Sequence, residues 1–171
     1  MATNKYLARV SGVTTEVVPA VTTAADSIVA TGADGKIDVS MLPVGVGPEV
    51  RVVAAFEDLT AGNFVNLFLS GGVIKARKAD ATTSGKPAHG FVLSNVTAPA
   101  NATVFGLSNT NTALSGLTIG SVYYLSTTPG GVMIAPGPVG SGVRSQELGI
   151  PHLTTEMVFD GPASASVILA S

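Results

Sequence analysis

The chain has 171 residues, 12% of them charged, with a formal net charge of −2 and no cysteine. Disulfides and thiolate metal sites are therefore excluded, and the lack of a basic stripe argues against a nucleic-acid partner. Apolar residues reach 46% with 20 Gly, 10 Pro and no Trp, a mixture that favours strands and tight turns over charged amphipathic helices and suits a surface covered by neighbours.

Residues 1–48 have a texture of their own. The opening MATNKYLARV lacks the apolar run of a secretory leader. No stretch of the chain approaches the roughly 18 uninterrupted apolar residues of a membrane span, so no membrane partner is expected. Val10, Val13, Val17, Val18 and Val21 lie among Thr and Ala without a sustained period, and Pro19 interrupts them. Ala24–Ala30 is the best helical candidate, yet it is short and β-branched towards its end. Asp34-Gly35 marks a turn, and Pro43, Gly45, Gly47 and Pro48 make a linker. A segment this poor in large apolar side chains cannot offset its own ordering entropy. It is expected to be an extended N-terminal arm that docks onto another protein through Tyr6, Leu7, Val10, Ile28, Met41 and Leu42.

Residues 49–171 read as short strands separated by turns. Val50–Phe56 alternates loosely. In Asn63–Leu69, Phe64 is opposite in phase to Val65, Leu67 and Leu69. Ser70-Gly71-Gly72 is a hairpin turn, because consecutive glycines accept the positive φ that such turns need. Val73–Ala79 then alternates basic with small residues, giving a wet face and a dry face. Further strands follow at Ala88–Leu93, Ala102–Leu107, Gly120–Leu125 and Val132–Ile134, with Pro129-Gly130-Gly131 as the turn between the last two. Val143–Ile150, Val158–Gly161 and Ser166–Leu169 complete the set. This spacing predicts an all-β domain, a small β-barrel or sandwich of short antiparallel strands.

The residues that carry chemistry are sparse. His89 and His152 are far apart in sequence, and no Gly-x-Ser-x-Gly elbow accompanies them. Asp34 and Asp38 flank a turn but lack the longer oxygen series of a calcium loop. Ser84-Gly85-Lys86-Pro87 lacks the upstream glycine of a phosphate loop, and Pro87 removes a needed N–H. A carboxylate pair for glycoside hydrolysis has no aromatic groove beside it; Tyr123 and Tyr124 point to opposite faces of their strand. No enzyme, cofactor or metal is expected. Arg51, Lys75, Arg77 and Lys78 read either as a solvated hairpin face or as cations that meet an acidic partner surface.

Four segments together resemble a known family: Thr60–Leu67, Lys75–Ala81, Pro87–Val92 and Gly116–Ser126. They are similar to the small β-barrel of tailed-bacteriophage capsid decoration (cement, head-stabilising) proteins. There a Gly-Phe-Val return, here Gly90-Phe91-Val92, precedes a Gly-x-x-Tyr-Tyr-Leu strand, here Gly120–Leu125, and a glycine-rich hairpin, here Pro129-Gly130-Gly131-Val132. Ala24–Ala30 and Asp34–Pro43 also resemble a segment of phage fibre and head-surface proteins. The resemblance implies a structural virion protein, made in the host cytoplasm, that binds the major capsid protein on the capsid exterior as a homotrimer. It leaves a tail-fibre, spike or adaptor component as the alternative, and a surface module binding a host-surface glycan as a second.

Overall fold

The structure is a computed structural model that describes residues 6–10, 13–17, 49–82, 85–159 and 166–168. The chain divides into two units, Met1–Gly47 and Pro48–Ser171. No helix occurs among the described residues, and the chain is all-β.

In the first unit, β1 (Tyr6–Val10) and β2 (Val13–Val17) form an antiparallel hairpin with Tyr6 opposite Val17 and Val10 opposite Val13. This corrects the reading of Val10, Val13 and Val17 as lacking a sustained period: the pairing sets Val10 against Val13 and Tyr6 against Val17. Ala24–Ala30 and the 43–48 linker lie outside the described residues.

The second unit holds a closed barrel of β3 (Val50–Ala55), β4 (Phe64–Ser70), β5 (Val73–Lys78), β6 (Gly90–Val92) and β7 (Asn101–Gly106), in the order β3-β5-β4-β6-β7. Its pairs are antiparallel except β3–β5, which is parallel. The exception is geometric: five strands around a ring cannot alternate in direction throughout, so one seam must join strands that run the same way. The β4–β5 turn is the expected one, with Gly71 and Gly72 at φ +61° and +78°, the left-handed pair that a two-residue hairpin needs.

A second sheet follows: β8 (Tyr123–Leu125), β9 (Val132–Ile134), β10 (Arg144–Leu153) and β11 (Glu156–Val158) in the order β11-β10-β8-β9, with β12 (Ser166–Ile168) also on β10. Strand alternation builds two cores at once. Val65, Ala76, Val92, Ala102 and Val104 point into the barrel, where small side chains fill a narrow bore. Phe64, Phe91 and Phe105 point outward from β4, β6 and β7, against Tyr123, Leu125, Leu148 and Met157 of the second sheet.

Two buried amides tie these layers. Gln146 accepts the Ala88 N–H at 2.8 Å and donates to the Ala88 carbonyl at 2.9 Å, acting as a strand edge for that segment. Asn111 donates to the Gly62 carbonyl at 3.1 Å and accepts the Ala113 N–H at 3.1 Å. Gly90 is required by the barrel seam: a Cβ there would come within 2.2 Å of the Phe105 carbonyl oxygen.

Candidate docking surface on the barrel

The second sheet covers the outer side of β4, β6 and β7 around the three phenylalanines. Among the described residues, the outer side of β3 and β5 has no such cover. Val52 and Phe56 are 63% and 54% exposed, and Val73 is exposed beside them. Neighbouring exposed apolar side chains of this kind make the face a candidate contact site.

This face carries the cations. The hairpin register sets Lys75 opposite Phe68 and Arg77 opposite Asn66, and the parallel seam sets Lys75 beside Ala54. Phe56 meets Phe68 edge to face, with ring centroids 5.2 Å apart at 87°. The Arg77 guanidinium lies 4.1 Å over the Phe68 ring, and the Lys75 ammonium is 6.0 Å from the Phe56 ring. Each such contact stabilises by about 0.5–1 kcal/mol at an exposed site. Its larger effect is to hold two positive charges flat on an aromatic floor. Arg77 is fixed further: its Nε donates to Asn66 Oδ1 at 3.0 Å and its Nη2 to the Gly85 carbonyl at 3.1 Å. Among the described residues neither cation is paired with a carboxylate.

The structure separates the other predicted cations from this pair. Lys78 falls one residue out of phase, on the opposite side of β5, and its backbone N–H donates to Glu57 Oε1 at 2.9 Å. Arg51 lines the barrel mouth, a cavity of about 330 Å³ shared with Glu49, Leu67, His89, Val104 and Gly106. His89 Nδ1 accepts the Leu67 N–H at 3.0 Å. Burial holds its pKa below the usual 6.5, and the Arg144 charge acts in the same direction.

Of the predicted arm residues, Tyr6, Leu7 and Val10 lie on β1. Ile28, Met41 and Leu42 fall outside the described residues. Tyr123 is only 6% exposed, and its hydroxyl accepts the Thr118 N–H at 2.9 Å, so it offers no stacking platform to a sugar. Among the described residues no three His, Asp or Glu side chains gather as a metal site, and no helix is long and apolar enough to cross a membrane.

Sequence reasoning passed over Phe56, Phe68 and Asn66. The signal for two of them was present: counting outward from Gly71-Gly72 places Phe68 against Lys75 and Asn66 against Arg77. Phe56, beyond the end of β3, gives no such register clue.

No protein-family model matches this sequence, and neither a curated protein nor a solved structure matches it.

Proposed function

We propose that this chain is a structural virion protein that binds the outside of a tailed-phage capsid and stabilises it. The observation that carries this reading is the uncovered barrel face on which Lys75 and Arg77 lie over Phe56 and Phe68. A flat, largely apolar surface with two pre-placed cations fits a broad protein partner with an acidic patch, here the major capsid protein. It is poorly suited to a small substrate, which calls for a concave, convergent site. The four sequence segments that resemble decoration proteins supply the phage context.

In this reading the protein acts as a homotrimer at the seams between capsomers. Residues 1–48 add a second attachment, so that linked weak contacts raise the effective affinity. No catalytic step, metal or cofactor enters. The reading is tested by mixing the purified chain with undecorated phage heads and sedimenting them. Saturable co-sedimentation supports decoration, whereas partition to tails or host cells in its place supports the fibre or adaptor alternative.

A further inference from the structure

Behind the cationic face runs a continuous hydrogen-bonded path to the barrel mouth. The fully buried Asn66, 1% exposed, is its pivot. Its Oδ1 accepts Arg77 Nε at 3.0 Å, and its Nδ2 donates to the Pro87 carbonyl at 2.8 Å. The same Nδ2 is 3.5 Å from His89 Nδ1. His89 Nδ1 also accepts the Leu67 N–H at 3.0 Å, extending the short β4–β6 seam by a side chain. Arg77 closes the loop on the other side through the Gly85 carbonyl at 3.1 Å. Besides the His89 N–H to Val65 carbonyl bond at 2.8 Å and the Ala88–Gln146 pair, side chains tie the segment 85–89 to β4 and β5 at Gly85, Pro87 and His89, and Arg77 holds one of those ties.

A proton on His89 Nδ1 is incompatible with this arrangement. Two donors, the Leu67 N–H and the Asn66 amide, already point at that nitrogen, and a protonated imidazole has no acceptor to offer them. We infer that protonation of His89 breaks its side-chain ties to Leu67 and Asn66 and thereby loosens Arg77, which the same Asn66 amide holds, so that the docking face is set by pH. The inference rests on the docking reading of that face and adds its regulation.

The charges around His89 come from several elements. Glu49 and Arg51 share the mouth cavity with it, Arg77 reaches it through Asn66 from β5, and Arg144 acts from β10. Lys86 lies in the same segment. Burial opposes a positive imidazole most strongly and the Arg144 charge adds to it, while a backbone hydrogen bond at Leu67 acts the other way. The change is thus confined to acidic conditions, below the ordinary histidine value.

The test uses the full chain in solution, without heads, over pH 7.5 to 5.0, a range in which carboxylates generally stay ionised. By nuclear magnetic resonance, the Leu67 amide and the Arg77 Nε–H are expected to shift together, with the midpoint of the His89 ring itself. His89→Gln supplies an acceptor oxygen that does not titrate, and it should abolish both shifts. An Arg77 Nε–H that stays still while His89 titrates overturns the inference. In a second arm, binding to undecorated heads should be roughly tenfold weaker at pH 5.0 than at 7.5, the size of one lost charge-assisted hydrogen bond, and equal at both for His89→Gln. Equal binding of the wild-type chain at both pH values overturns the switch. Failure to bind heads at either pH removes the docking reading, while the resonance arm still decides whether His89 controls Arg77.

Discussion

At the scale of single residues, the account depends on where alternation sends each side chain. Lys75 and Arg77 share a strand face, and the register places an aromatic or an amide opposite each. Removing the floor should therefore matter as much as removing the charge. Phe68→Ala is expected to weaken head binding roughly tenfold while leaving the fold intact, since Phe68 belongs to neither core; titration by light scattering against heads measures it. Lys78→Ala, out of phase with the pair, should leave binding unchanged. His89 gives a stability prediction as well. Its folded pKa is lowered, so below about pH 6.5 the unfolded chain binds more protons than the folded one. The stability that neutral His89 contributes is complete above that value and declines as pH falls towards the folded pKa. Urea midpoints across pH 7.5 to 5.0 should fall for the wild type and stay flatter for His89→Gln. A sequence cannot announce this role, because the acceptor at Nδ1 exists only once the 85–89 segment lies against β4.

Among the strands, the sequence was most legible where local rules act alone. Gly71-Gly72 set the β4–β5 hairpin, and the opposite phase of Phe64 and Val65 is legible in the sequence, although the two cores that these residues enter are not. What local rules cannot show is closure. The parallel β3–β5 seam follows from five strands sharing a ring, a property that no single segment carries. The β1–β2 hairpin was hidden because its register is a pairing between two segments, which the spacing of Val10, Val13 and Val17 alone does not show. Two changes test the layered packing. Phe91→Ala, which empties the junction between barrel and second sheet, should cost about 3–5 kcal/mol. Gly90→Ala places a methyl against the Phe105 carbonyl and should open the β6–β7 seam, seen as a large drop in thermal midpoint. If Gly90→Ala melts like the wild type, the seam is not as close as described.

For the whole molecule, low charge and an uncovered cationic-aromatic face are the features on which the proposed docking rests. The division at Gly47/Pro48 allows the two attachments to be separated. A chain lacking residues 1–48 should keep the barrel's near-native circular dichroism and lose saturable binding to heads. Truncated protein that still saturates them would show that the arm is dispensable. In the proposed reading the barrel contact is electrostatic in part, so head binding should weaken as salt rises, surface charges being screened within about 10 Å at 0.1 M. Composition pointed towards a covered surface, but which face is covered became visible only when the second sheet was seen to hide β4, β6 and β7 and leave β3 and β5 bare.

The most direct measurement is the mass of the purified chain in solution, followed by its co-sedimentation with undecorated phage heads, wild type beside the Lys75→Glu/Arg77→Glu double variant. The account predicts a trimer that saturates the heads at a stoichiometry matching their local three-fold positions, and a double variant that stays trimeric but remains in the supernatant. A double variant that decorates heads as fully as the wild type, or a wild-type chain that ignores them, would contradict it.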